Sequence, residues 1–253
     1  MRIAVISDVH GNAIALKAVL EHLKSAHADL IVNLGDLVSG PFDPALAADM
    51  QMDLDAATLA GNHERQVLAG STGRVDAFAR QRLSAAHLDW MARLPPTLSL
   101  ADGEVFACHG SPAGGDLEYM LEDVSEGRVR LSEEDAIRPR IAGIGAAKVV
   151  LCGHSHTPRL LTLDGVLLVN PGSVGLPAYR DLEPPHVVET GAPHARYAVL
   201  ERLASGWAVD MRAVPYDFEA AGRQAEQHDR PDLAHAVRTG TYRPGIGKTH
   251  PHR

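Results

Sequence analysis

The chain of 253 residues carries 24 Lys and Arg against 32 Asp and Glu, a formal net charge of −8, with 45% apolar, 22% charged and 4% aromatic residues. That balance suits one domain with an aliphatic core, and the negative charge without a basic stripe argues against a general nucleic-acid binder. It leaves room for a small anionic substrate, because bound metal ions reverse a local field.

Two cysteines, Cys108 and Cys152, are too few for a disulfide framework and read as small buried hydrophobes in a reducing compartment. The opening apolar run is too short for a signal peptide, and no stretch reaches the roughly 18–20 apolar residues of a membrane span. A soluble, cytoplasmic protein is expected, and the sequence leaves a homo-oligomer open.

In chain order, residues 2–7 form a short β-branched run, 12–28 carry apolar residues at helical spacing, and 29–34 repeat the strand pattern. The start therefore reads βαβ. A short helix is expected over 45–50, a strand over 57–60, and one helix over 75–94, stopped by Pro95-Pro96. The pattern then changes to hairpins: 97–100 with 104–108, 160–163 with 166–169, and 196–203 with 207–214. Residues 148–152 read as a further buried strand. Helices are expected over 117–124, over 132–142 with Ser132 as its cap, and over 217–227 and 232–238. Residues 171–193, rich in Gly and Pro, read as an active-site or mobile loop. The fold class is α/β, with two packed mixed sheets and helices outside. One domain over 1–238 is expected, with a flexible tail over 239–253, where His250 and His252 stand isolated and read as non-ligands.

Five polar segments stand at or just after expected strand ends: Asp8-Val9-His10-Gly11-Asn12, Gly35-Asp36, Gly61-Asn62-His63-Glu64, His109-Gly110 and Gly153-His154-Ser155-His156. Open α/β sheets place ligands beyond the carboxyl ends of their strands, so five ends alike point to one cleft. Asp, His and Asn offer oxygen and nitrogen ligands suited to Mn, Fe, Co, Ni or Zn. The alternating Asp8-x-His10 and His154-x-His156 put both side chains on one side of an extended segment. Taken singly, each segment has an ordinary reading as a turn, a cap or a core histidine. Asn12 and Asn62 in particular read equally as helix caps.

As an ordered set these segments resemble the calcineurin-like metallophosphoesterase superfamily, and Asn170-Pro171-Gly172-Ser173-Val174-Gly175 resembles a segment of its small prokaryotic members. The resemblance implies an α/β/β/α sandwich that hydrolyses a phosphate ester with two divalent transition-metal ions. It implies Asp8, His10 and His156 on one ion, Asn62, His109 and His154 on the other, and Asp36 bridging. A bridging hydroxide would attack phosphorus, and His63, outside the ligand set, would protonate the leaving oxygen. Asn62, Arg65 and Arg180 are candidates to hold the substrate's charge, and the Gly172-Ser173 backbone is a candidate to approach a ligand or phosphate. The arginines that protein phosphatases of the family carry after Gly-Asp and before Gly-Asn-His are missing: Leu37 and Ala60 stand there. A small phosphodiester is the expected substrate. The alternatives are a phosphomonoesterase, a nuclease of the same superfamily, and a non-catalytic binding module of the kind found in a retromer subunit that lacks the substrate-facing histidine.

Overall fold

The computed structural model describes residues 1–245. β1 (Arg2–Ile6) is covered on both faces, Ile3 and Val5 packing to one side and Ala4 and Ile6 to the other. A strand alternates its side chains, so a run without polar residues must be covered twice. α1 (Ala13–Leu23) covers Ala4 and Ile6 with Ala15, Leu16 and Val19. β2 (Leu30–Asn33) and, beyond α2 (Pro44–Met52), β3 (Ala56–Thr58) extend the sheet in parallel. Three short helices follow: α3 (Asn62–Leu68), α4 (Arg74–Arg80) and α5 (Ala85–Met91).

The second half opens with the hairpin β4 (Thr97–Leu100) and β5 (Val105–Cys108). The ribbon β6 (Glu122–Asp123) and β7 (Arg130–Leu131) leads to α6 (Glu134–Arg140) and β8 (Val149–Leu151). Next come the hairpin β9 (Arg159–Leu163) and β10 (Val166–Asn170) and the ribbon β11 (Ala178–Leu182) and β12 (Pro185–Glu189). A long hairpin, β13 (Ala195–Leu203) and β14 (Gly206–Val214), then leads to α7 (Phe218–Gln227) and α8 (Pro231–Thr239).

The strands form two five-stranded sheets, ordered β14-β13-β1-β2-β3 and β4-β5-β8-β10-β9. Between them Ile3, Val5 and Val32 meet Val105, Ala107, Val149 and Leu151. Helices cover the outer faces: α1 lies on the first sheet, and Ile137 of α6 packs with Cys108, Val150 and Leu168 of the second. This is the expected α/β/β/α layering, with β1, β2, β3, β5 and β8 lying side by side in parallel within their own sheets.

Four expectations are corrected. Residues 75–94 are two helices, because Ser84 Oγ accepts from His87 N at 3.3 Å and starts a new one. Residues 117–124 form bends and β6 instead of a helix. Their carbonyls are taken by side chains: Arg140 Nη1 donates to Tyr119, Met120 and Glu122, and Leu117 O faces His154 Nε2. Ser132 does not cap α6, since its Oγ accepts from that same guanidinium at 3.1 Å. Residues 171–193 contain the β11–β12 ribbon, anchored by buried Tyr179 and Val188. The chain remains tied to the body beyond α8, Thr190 N and Gly191 N donating to Gly240 O and Tyr242 N to Glu189 Oε1. Residues 246–253, and with them His250 and His252, lie outside the described residues.

Candidate metal centre

Each of the five polar segments leaves the carboxyl end of a parallel strand: β1 for Asp8 and His10, β2 for Asp36, β3 for Asn62, β5 for His109, and β8 for His154 and His156. Asp8, His10, Asp36, His154 and His156 all have positive φ, between 50° and 65°. Non-glycine residues rarely adopt this conformation, and it costs about 1–3 kcal/mol at each. Strain gathered on five residues of one cluster marks a site built for something other than stability.

The structure brings all seven residues expected as ligands together. Asp8, His10 and His156 offer donor atoms within 4.8 Å of one another, as do Asp36, His109 and His154. Asn62 Oδ1 lies 3.1 Å from His109 Nε2. Asp36 stands between the two groups, its Oδ2 being 3.8 Å from His10 Nε2 and 3.2 Å from His109 Nε2.

Hydrogen bonds fix the tautomers. His10 Nδ1 faces Ser39 O at 2.7 Å, His109 Nδ1 faces Leu34 O at 2.7 Å, and His156 Nδ1 faces Leu176 O at 2.6 Å. A carbonyl only accepts, so each Nδ1 carries a proton and each Nε2 is the atom turned towards the cluster. His154 is reversed: its Nε2 donates to Leu117 O at 3.2 Å, leaving Nδ1 as acceptor.

The acceptors then confront one another. His10 Nε2 and His156 Nε2 are 3.0 Å apart. Both Asp8 carboxylate oxygens are buried and lack a hydrogen-bond partner, with His156 Nε2 at 3.3 Å. An unpaired buried carboxylate costs several kcal/mol, and lone pairs facing lone pairs repel. A cation between them resolves both, so the donor set fits divalent transition metals.

Charge is sorted accordingly. Burial and the neighbouring His156 push His10 down to about 3, and burial with His109 does the same to His154. Burial also opposes charge on His109, but the Asp36 carboxylate prevails and raises it to about 10. The same carboxylate that favours a charged His109 favours a cation beside Asp36, Asn62 and His109.

His63 differs. Its Nδ1 lies 2.7 Å from Asp76 Oδ1, and its Nε2 is 4.0 Å from Asp36 Oδ2. Burial disfavours its charge, yet Asp36 and Asp76 overcome this and raise it to about 9. The Asp76 carboxylate favours the charged ring, and His63 also lies within 4.8 Å of His10 and Asp36 in a third group able to hold an ion.

Several supporting residues had no sequence signal or another reading. Asp76 follows His63 by thirteen positions and carries no motif spacing. Glu64 ties two ligand loops together: Oε2 accepts from Asp36 N and Gly61 N, and Oε1 from Leu37 N, all at 2.8 Å. Burial, with Asp36 nearby, pushes Glu64 up to about 7, but three N–H donors require both oxygens as acceptors. A Cβ on Gly61 would overlap Asp36 Oδ1 and press on His109, so glycine is needed where these loops meet. Tyr119, Tyr179 and Asp181 line the cleft beside His154 and His156, from segments read as helix and loop.

The remaining candidates stand elsewhere. Arg65 is fork-paired with Asp116, both bonds 2.8 Å long, and does not line the cleft. Arg180 sits between Tyr179 and Asp181 on β11 and, by strand alternation, faces away from them. Asn12 is the α1 cap, its Oδ1 accepting from Ala15 N at 3.1 Å. Ser173 Oγ donates to Asp8 O at 2.8 Å, so that segment braces a ligand's backbone.

Residues 1–191 match the calcineurin-like phosphoesterase superfamily domain. The chain belongs to this superfamily and is a phosphoric ester hydrolase of the metallophosphoesterase class. It is similar to the crystal structure of a metallophosphoesterase from Sphaerobacter thermophilus, with 24% identity and a TM-score of 0.72 over 95% of this chain and 99% of that one. A hypothetical protein from Pyrococcus horikoshii superposes with a TM-score of 0.73 at 18% identity, over 96% of this chain and 99% of that one. An uncharacterised protein of Methanocaldococcus jannaschii is 25% identical over 256 residues, 91% of this chain and 94% of its own.

Proposed function

We propose that this protein hydrolyses a small phosphate ester, a phosphodiester in preference to a monoester, using two divalent transition-metal ions drawn from Mn, Fe, Co, Ni or Zn. The observation that carries the reading is the set of opposed acceptors: a buried Asp8 carboxylate without a donor, and imidazoles whose Nδ1 atoms are committed to backbone carbonyls. Asp8, His10 and His156 hold one ion, Asn62, His109 and His154 the other, and Asp36 serves both. The ions, when bound, neutralise the phosphoryl oxygens and lower the pKa of the water that attacks phosphorus.

The chain's own groups do the rest. The strained loops fix the ligands before substrate arrives, so little reorganisation accompanies reaction. His63, kept protonated by Asp76, gives its Nε2 proton to the leaving oxygen, which an alkoxide needs far more than a nitrophenolate does. A binding module has no use for that proton donor, which favours the enzyme. With neither Arg65 nor Arg180 lining the cleft, the substrate's charge falls to the ions and His63. Among the described residues no helix is long and apolar enough to cross a membrane. The buried thiols of Cys108 and Cys152 are unpaired, and we read the protein as cytoplasmic.

The test is hydrolysis of para-nitrophenyl phosphate against bis-para-nitrophenyl phosphate by chelated protein with Mn, Fe, Co, Ni, Zn or Mg restored. Metal-restored turnover with the diester ahead is expected. Folded protein that turns over neither with any metal refutes the reading.

A further inference from the structure

The cleft at the ligand cluster is narrow, about 30 Å³, room for about two water-sized species. It can take the reacting centre, but the organic arms of an ester must lie outside it. A larger cavity of about 360 Å³ opens from it, sharing Leu117, Tyr119, His154 and Asp181 as common walls. Its size falls at the small end of ligand pockets, which run from about 300 to 1,000 Å³. His63 lines the cleft but not this cavity. The cavity therefore opens from a part of the cleft that His63 does not line.

We propose that this cavity is the subsite for the arm that stays on phosphorus, and that it selects phosphodiesters whose retained arm is compact and not anionic. The inference rests on the phosphodiesterase reading above and deepens it, since a monoester has no second arm to place there. The cavity is a built one. Tyr119 forms the partition, its OH 2.8 Å from Tyr179 OH and 3.0 Å from His186 Nε2, and its ring packs on His154 with centroids 4.8 Å apart. His186 is buried and its Nδ1 donates to Pro184 O at 2.7 Å, which holds the ring against Tyr119.

The walls set the sign of charge. Glu118, Glu122, Asp123 and Glu183 line the cavity beyond the shared Asp181, against the one lining guanidinium, Arg140, among the described residues. Glu122 is paired with Arg159 and Asp123 with Arg130, each at 3.0 Å, so the excess negative charge lies on the other three. The Nη1 of Arg140 is already spent on three backbone carbonyls and Ser132 Oγ. A second phosphate or a carboxylate on the retained arm meets repulsion there, whereas a hydroxyl or an ammonium does not.

The experiment keeps the leaving group constant. The metal-loaded protein is given methyl para-nitrophenyl phosphate, para-nitrophenyl phosphorylcholine and 2-carboxyethyl para-nitrophenyl phosphate. Expected is a kcat/KM for the choline ester at least about tenfold above the methyl ester, carried by KM, and a carboxyethyl ester below both; one favourable charge interaction accounts for such a factor. Ser125→Trp, which places a bulky ring in the cavity from an exposed wall position, is expected to raise the choline ester's KM until that advantage falls to about twofold. Equal kcat/KM for the three esters overturns the subsite alone, as does a Ser125→Trp protein that keeps the full preference. No turnover of any ester overturns the metal-dependent reading and the subsite with it.

Discussion

A histidine ring can hold a cation or carry a proton, and a carboxylate on its other nitrogen favours the charged form. Three rings of the cluster give Nδ1–H to backbone carbonyls, which leaves Nε2 to face the cluster. His63 gives Nδ1–H to the Asp76 carboxylate instead and is held charged to about pH 9. His63→Ala is therefore expected to retain both metals and to lose about 10²–10⁴-fold in kcat on an alkyl ester, with a smaller loss on a nitrophenyl ester. Equal losses on the two esters would remove it as the acid. The same reasoning fixes a pH dependence. Activity needs the protonated ring, so it is present below the folded pKa and lost as pH rises through it. Asp76→Asn removes a charge that raises this pKa, and the alkaline limb of kcat on an alkyl ester should move to lower pH; a limb that stays put denies Asp76 this role. The sequence placed His63 inside its motif, because the Gly-Asn-His-Glu segment is contiguous. It could not place Asp76, which arrives from a different helix with nothing in its spacing to announce it.

At the scale of elements, strands were legible wherever an apolar run lay between turn residues, as in β1, β5 and β8. Helices were misread where side chains take over backbone groups. Leu117 to Glu122 lost a helix to Arg140 and His154, and Ser84 divided 75–94 by capping a second one. Pairing of 178–182 with 185–189 was hidden by flanking Gly and Pro, though buried His186 and Val188 alternate with more exposed Pro185, Val187 and Glu189 as a strand requires. Between elements, the missing information was Glu64, which sequence treats as a neighbour of the motif and which the fold uses to lock the β2 and β3 loops together. Glu64→Gln keeps the shape but turns one acceptor into an NH₂ group facing backbone N–H donors. A buried donor left without a partner costs about 1–3 kcal/mol, or a fall in Tm of roughly 2–12 °C at this chain length. Weaker metal retention should accompany it, because Asp36 sits on the loosened loop. A variant with wild-type Tm and metal content would show that the tie is dispensable.

The two five-stranded sheets meet through an apolar interface and, at one end, through the ligand cluster. Asp8, His10, Asp36 and Asn62 come from the first sheet, and His109, His154 and His156 from the second. Each proposed ion takes ligands from both, so metal binding cross-links the layers and must appear in global stability. An ion that binds only the folded chain stabilises it by about 2.7 kcal/mol at a hundredfold excess over its Kd. For a domain of this size that corresponds to a rise in Tm of roughly 5–11 °C. The chelated protein is therefore expected to melt lower and to regain Tm with added Mn or Zn in a concentration-dependent way. His63→Ala, which on the proposed assignment removes no ligand, should show the full rise. Asp36→Asn keeps an acceptor for His63 N but removes the charge shared by the two ions, and should lose most of it. A wild-type Tm indifferent to metal would mean that the cluster does not join the sheets. An Asp36→Asn protein with the full rise would mean that no single carboxylate serves both ions.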